Sequence, residues 1–198
     1  MRSFIHLTAV AICLLFLVAS PVQAREITDM IGRRVTVPEK IGKVVALSPP
    51  GTYLVYAIDP SLLAGLNFPL WQNEKRYTTE SFRRLPVIGG MVGEGRNLNM
   101  EVLLKVKPDV AIFWSFGDNS LNGEFERKLR PLGIPIVYVR FDSLRDYPNA
   151  IRFMGDLLNR RDRALKLSRY ADEVLRKIDR AFASPPLRRK VSVYYAEG

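Results

Sequence analysis

Residues 97–114, NLNMEVLLKVKPDVAIFW, decide the fold of this 198-residue chain. Met100, Val102, Leu103, Leu104 and Val106 form an apolar face at helical spacing. Lys107-Pro108-Asp109 ends that helix, because proline disfavours the α region for its predecessor and offers no backbone donor. Val110 to Trp114 is then an unbroken apolar run, the pattern of a strand covered on both faces of a parallel sheet. Ligands of open α/β folds sit beyond the carboxyl ends of such strands. Trp114-Ser115-Phe116-Gly117 lies at that end and is the first place to expect a binding surface.

Outward from this unit, strand and helix patterns alternate, the signature of a βαβ sheet. Residues 25–38 read as a small hairpin around Gly32, with Ile27, Met30, Val35 and Val37 as its apolar positions. Residues 43–47 (KVVAL) read as a buried strand closed by Ser48-Pro49-Pro50-Gly51, with Thr52 as cap of the next helix. That loop either presents free amides to a polar ligand or is simply a tight connection. Residues 62–66 (LLAGL) read as a third strand. After them Phe68, Leu70 and Trp71 put large apolar groups in a loop, where they either plug the core or line a pocket. The glycine-rich residues 89–96 lack the strand–GxxxxGK[ST]–helix pattern, which excludes a P-loop.

Beyond the polar loop 117–123, the pattern predicts a helix over 124–132, a strand over 134–139 and a helix over 144–158. Residues 162–183 carry one apolar stripe: Ala164, Leu167, Ala171, Val174, Leu175, Ile178, Ala181 and Phe182. A helix of that length is about 33 Å long, enough to cross a small domain. Residues 190–196 (KVSVYYA) begin another strand.

The first 24 residues have a basic Arg2, an apolar run over 7–19 and a small-x-small site at Val22-Gln23-Ala24. This is the form of a secretory leader cleaved after Ala24, and it is too short and too weakly flanked for a membrane span. The rival reading, a lipid anchor at Cys13, is disfavoured by bulky Ile12 and by the position of Cys13 inside the apolar run. Cleavage removes the single cysteine and the single histidine. Disulfides, Cys/His zinc sites, Ser-His-Asp triads and Cys-His nucleophiles are then excluded. A bare transition metal would have only carboxylates, tyrosines and amides to bind, which favours a metal that arrives already chelated, and no cofactor is expected.

The formal charge is +10, or +9 without Arg2. Basic residues are interleaved with acids, as in Arg160-Arg161-Asp162-Arg163, which describes a solvated helix face. Export argues against nucleic acid, while an anionic small ligand remains compatible. About 174 residues suit one domain, or one and a fraction; a monomer is expected.

VVALSPPGTYLVYAI at 44–58, Gly89-Gly90 followed by NMEVLLKVKPDVAIFW at 99–114, LGIPIVYV at 132–139 and the long helix carry a resemblance. The chain resembles the periplasmic solute-binding proteins of ABC importers for metal chelates, the group of ferric-siderophore, haem and cobalamin binders. Its relatives also include binders of molybdate or tungstate. The resemblance implies a Rossmann-like parallel-sheet lobe over 25–159, a connecting helix over 160–184 and the start of a second lobe over 185–198. It implies a non-enzymatic periplasmic component that hands its solute to an inner-membrane permease.

Mapped onto this sequence, the family's ligand loops place Pro50, Thr52, Tyr53, Asn67, Phe68, Trp71, Met91, Trp114 and Phe141 around the solute. Arg96 and Arg140 are the residues expected to pair with carboxylates or an oxyanion. Glu101 matches the glutamate that docks on permease arginines; its plain alternative is a helix-start glutamate favoured by the helix dipole. Family members continue for another lobe beyond the strand at 190, so the sequence reads as a fragment, a truncated product or a half-length protein. The competing readings are an exported α/β enzyme using Asp118 or Asp142 as acid or base, and an interaction module or remnant without ligand.

Overall fold

The computed structural model describes residues 23–90, 98–115, 123, 126–183, 192 and 194. Residues 1–22 of the expected leader, the loop residues Met91 and Arg96, Asp118, and most of the expected strand at 190–196 lie outside the described residues.

The chain enters through an antiparallel hairpin, β1 (Ala24–Thr28) and β2 (Arg34–Pro38), with Ala24 opposite Pro38 and Thr28 opposite Arg34. Gly32 turns it at φ +85°, a conformation that glycine adopts without cost. The hairpin begins at Ala24, one residue before the expected mature start. Three parallel strands form the sheet, in the order β3 (Val44–Ala46), β4 (Val110–Trp114), β5 (Ile136–Val139). Val44 pairs with Val110, and Ala111 with Ile136.

Both sheet faces are covered, as the unbroken apolar runs require. On one face Val44, Ala46, Val110, Ile112, Val137 and Val139 meet the helices α1 (Pro49–Ile58), α3 (Tyr147–Leu157) and α4 (Arg161–Ala183). On the other, Val45, Ala111, Phe113, Ile136 and Tyr138 pack with Leu103 of α2 (Met100–Val106) and with Leu129 and Ile134. The alternation follows from the two-residue period of a strand.

The outer edge of β5 is closed by the hairpin turn. Met30 N donates to Tyr138 O at 3.1 Å, and Arg33 Nη2 donates to Ile136 O at 2.9 Å. The buried Asp29 carboxylate orders this turn by accepting Ile31 N, Arg33 N and the Arg33 guanidinium. Arg33 lies 4.2 Å above the Tyr138 ring and reaches Glu126. Burial, followed by the charge of Glu126, pushes the Tyr138 phenol far up. A covered edge cannot recruit a foreign strand.

Four sequence expectations change here. Thr52 is not a cap: Ser48 takes that position at φ −147°, the two prolines open α1, and Thr52 is buried within the helix. The strand expected at 62–66 reduces to bridges at Leu63 and Leu66, because the turn Asp59-Pro60-Ser61 draws Leu62 into a short 3-10 helix. Gly65 weakens what remains; its Cα faces Ile88 so closely that a Cβ would stand 2.0 Å from that side chain. On α2 only Leu103 is fully buried and Leu104 is half exposed, so the expected five-residue face is narrower. On α4 Ala164 is buried and Leu167 and Ala171 reach the core, whereas Ile178 and Phe182 are exposed.

The stop expected at Lys107-Pro108 holds: Lys107 ends α2 in the left-handed region at φ 49°. No cap is read from the sequence for this helix; the structure supplies Asn99, whose Oδ1 accepts Val102 N at 3.0 Å. Gly133 ends the short helical segment before β5 at φ 68°.

Candidate functional site

The carboxyl ends of the three strands, with the start of α1, gather most of the expected contact residues that are described. Beyond β4 and β5, Trp114 stacks on Phe141 with centroids 5.3 Å apart and planes 8° from parallel. Phe141 in turn tilts against Tyr147 at 5.3 Å. Phe141 is buried and Trp114 is partly exposed, so Phe141 backs the indole. The indole is also held by its polar end: Trp114 Nε1 donates to Asp142 Oδ1 at 3.1 Å. Arg140 stands 4.0 Å from the other Asp142 oxygen, with its side chain 58% exposed. Asp146 fixes the following turn by accepting Ser143 N at 2.8 Å and Ser143 Oγ at 2.9 Å, and these bonds hold its carboxyl below the usual range.

Beyond β3, Thr52 and Asn67 are buried and bonded to each other. The Thr52 hydroxyl donates to Asn67 Oδ1 at 2.6 Å, while Asn67 Nδ2 donates to Ala46 O at 2.7 Å and Gly89 O at 3.3 Å. Gly90 must approach this node closely: a Cβ there would lie 3.0 Å from Asn67 Nδ2 and from Leu47 O. These two residues therefore join three strand-end loops, with their polar groups bonded inside the protein. Phe141 is buried as well, against the indole of Trp114. Ser48 Oγ is buried without a hydrogen-bond partner at the start of α1.

Pro50 is half-buried in the first turn of α1, with Tyr53 next to it and 45% exposed. Phe68 is half-buried and Trp71 is 68% exposed. Sequence reading missed the group that ties this side together. Glu74 accepts the Tyr53 hydroxyl at 3.0 Å through Oε1 and the Trp71 backbone N–H at 2.8 Å through Oε2. Partial burial, followed by the bond to Glu74, pushes the Tyr53 phenol above its ordinary value. No spacing in QNEK marks Glu74, because its partner on α1 lies 21 residues away.

Glu101 sits in the first turn of α2, 76% exposed, and pairs with Lys105 at 2.7 Å. It lies on a solvated helix start.

Among the described residues no group of three His, Cys, Asp or Glu side chains is placed to hold a metal ion. What the arrangement offers chemically is partly exposed π surface, backed by packed rings and flanked by an exposed cation at Arg140 and carboxylates at Glu74 and Asp142.

The family model described as "Periplasmic binding protein" matches residues 44–198. The chain belongs to that family, whose members are non-enzymatic components of transport. Among solved structures it is similar to an ABC transporter solute binding protein from Sulfurospirillum deleyianum, at 29% identity and a TM-score of 0.73, over 82% of this chain and 50% of that one. A periplasmic solute binding protein from Veillonella parvula matches at 25% identity and a TM-score of 0.68, over 84% and 50% of the two chains. The molybdate-bound MolA protein of Haemophilus influenzae shares the fold at 19% identity and a TM-score of 0.64, over 81% and 55%. Comparison with curated protein sequences returned no match. The chain spans about half the length of the solved structures it matches.

Proposed function

We propose that this chain provides solute-binding surface for an ABC importer of a pre-chelated metal: an iron-siderophore, haem, cobalamin or a related complex. In this reading residues 25–159 are the first lobe, 160–184 the connecting helix and 185–198 the start of a second lobe. The leader is cleaved after Ala24, the protein works in the periplasm as a monomer, and Glu101 docks on the inner-membrane permease. No helix among the described residues is long and apolar enough to cross a membrane, which is compatible with that location.

The observation that carries the reading is the backed indole at the strand ends. Trp114 is stacked on buried Phe141 and pinned by Asp142, so it presents a fixed flat surface. Pockets for small molecules combine such apolar surface with a few oriented polar groups. Tyr53, Phe68 and Trp71 extend the wall, Pro50 shapes its floor, and Arg140 supplies a cation for a carboxylate of the chelate. Met91 and Arg96 are proposed as contacts on the sequence resemblance alone. A chain with no histidine or cysteine after the leader has few donors for a bare transition metal, which favours a solute carrying its own chelator.

A second reading is an oxyanion such as molybdate or tungstate. Its support is Arg140, an exposed guanidinium that stands 4.0 Å from Asp142, and the shared fold with the molybdate-bound Haemophilus influenzae protein.

The test is tryptophan emission of the purified chain titrated separately with haemin, cyanocobalamin, ferrioxamine and molybdate. Saturable quenching by a chelate is the expected result, and it should weaken in Trp114→Ala. Binding of molybdate alone selects the oxyanion reading. Absence of any saturable response from a folded chain overturns both.

A further inference from the structure

Two of the exposed aromatic residues in the candidate site, Tyr53 and Trp71, come from elements that share no backbone pairing. Tyr53 projects from α1, and Trp71 precedes the one-turn helix Gln72–Lys75. Exposed rings on a loop are ordinarily free to move, and an immobilised ring binds more tightly because less freedom is lost on binding. Here one carboxylate reaches both. Glu74 Oε1 accepts the Tyr53 hydroxyl at 3.0 Å, and Glu74 Oε2 accepts the Trp71 amide at 2.8 Å. One further bond closes the loop's own turn, and another ties the loop to α1. Lys75 N donates to Trp71 O at 3.2 Å, and Tyr56 on α1 receives Thr79 N on its hydroxyl at 3.0 Å.

We infer that Glu74 is a positioning residue of the solute-binding surface: it clamps the Trp71 loop to α1 and holds Tyr53 and Trp71 in one fixed arrangement. Because a carboxylate has two oxygens, it satisfies both donors at once. A glutamine keeps an acceptor oxygen for one of these donors and presents its NH2 to the other, so the charge-assisted pair of acceptor bonds is lost even where the side chain keeps its place. The Tyr53 phenol reports the same contact, since its raised titration depends in part on the bond to Glu74.

The inference rests on the solute-binding reading for its purpose, while its geometry is testable without any solute. The full chain, labelled with 5-fluorotryptophan, has two resonances, one for each tryptophan, and Trp71 is assigned by its loss in Trp71→Phe. In Glu74→Ala the Trp71 resonance should shift and narrow, while Trp114 and the thermal midpoint stay as in the wild type. Glu74→Gln should give an intermediate shift. The phenol that disappears in Tyr53→Phe should titrate at lower pH in Glu74→Gln than in the wild type. An unmoved Trp71 resonance in Glu74→Ala overturns the clamp. So does an equal change at both tryptophans with a lowered midpoint, which would make Glu74 a general stabiliser.

With haemin as the probe, Glu74→Ala should weaken the apparent Kd by about tenfold, the equivalent of one lost ordered contact. If haemin and the other probes fail to quench the wild type, the solute reading falls, and the fluorine spectra still decide the clamp.

Discussion

The Thr52 hydroxyl donates to Asn67 Oδ1 at 2.6 Å, in a site where both side chains are buried. Asn67 in turn bonds the carbonyls of Ala46 and Gly89, so one side chain links the end of β3, the body of α1 and the loop at Gly89-Gly90. Asn67→Ala strands the Thr52 hydroxyl and the Ala46 carbonyl in the interior. Leaving a buried polar group unsatisfied costs about 1–3 kcal/mol, so a loss in that range is expected from urea unfolding. Thr52→Val, which leaves the two carbonyl bonds of Asn67 in place, should cost less.

The turn between α3 and α4 brings Gly155 against Ala164 so closely that a Cβ at 155 would lie 2.2 Å from the Ala164 Cβ. Alanine normally stabilises a helix interior by about 1 kcal/mol relative to glycine. At Gly155 the sign reverses, and Gly155→Ala should lower stability by roughly 1–3 kcal/mol through overpacking. The double variant Gly155→Ala with Ala164→Gly should recover part of that loss in the same unfolding assay.

Asp59 ties α1 to the start of α4 through Arg160 at 2.6 Å and accepts Ser61 N and Oγ. Burial pulls its carboxyl upward, but the bonds from Ser61 and Arg160 outweigh that and hold it below the ordinary 3.8. The folded value lies below the unfolded one, so this contribution is complete above the unfolded value and fades as pH falls through the folded value. The stability gap between wild type and Asp59→Asn should therefore be constant at neutral pH. It should close as the pH drops below about 4. Thermal midpoints across the acid range measure it.

Glu101 is solvated and its pair with Lys105 is a surface i,i+4 contact. Such pairs contribute about 0.3–0.5 kcal/mol, so Glu101→Ala should leave the unfolding curve almost unchanged. If the residue docks on a permease, the same variant loses co-sedimentation with membranes that hold the permease. Unchanged co-sedimentation removes Glu101 from that role.

Much of the fold was legible because the relevant signals are local. The apolar run Val110–Trp114 and its proline-stopped helix place β4 and α2 correctly, since backbone sterics and burial on both faces act within a few residues. The hairpin around Gly32 was legible for the same reason. Of the site, the sequence located the strand-end loops and their aromatic residues. It did not distinguish exposed Tyr53, Trp71 and partly exposed Trp114 from buried Thr52, Asn67 and Phe141. Residue type sets what a side chain prefers, and its neighbours in space set whether it meets water.

The sequence by itself determined the alternation of strands and helices, the apolar character of the strand-end loops and the absence of histidine and cysteine from residues 14–198. Tertiary structure alone decided that β4 lies between β3 and β5, that Phe141 backs Trp114, and that Glu74 joins Tyr53 to the Trp71 loop. The reason is range. Periodicity and turn chemistry are written in neighbouring residues, whereas Trp114 and Asp142 are 28 positions apart and Tyr53 and Glu74 are 21 apart. Contacts of that separation exist only once the sheet has brought the ends of its strands together.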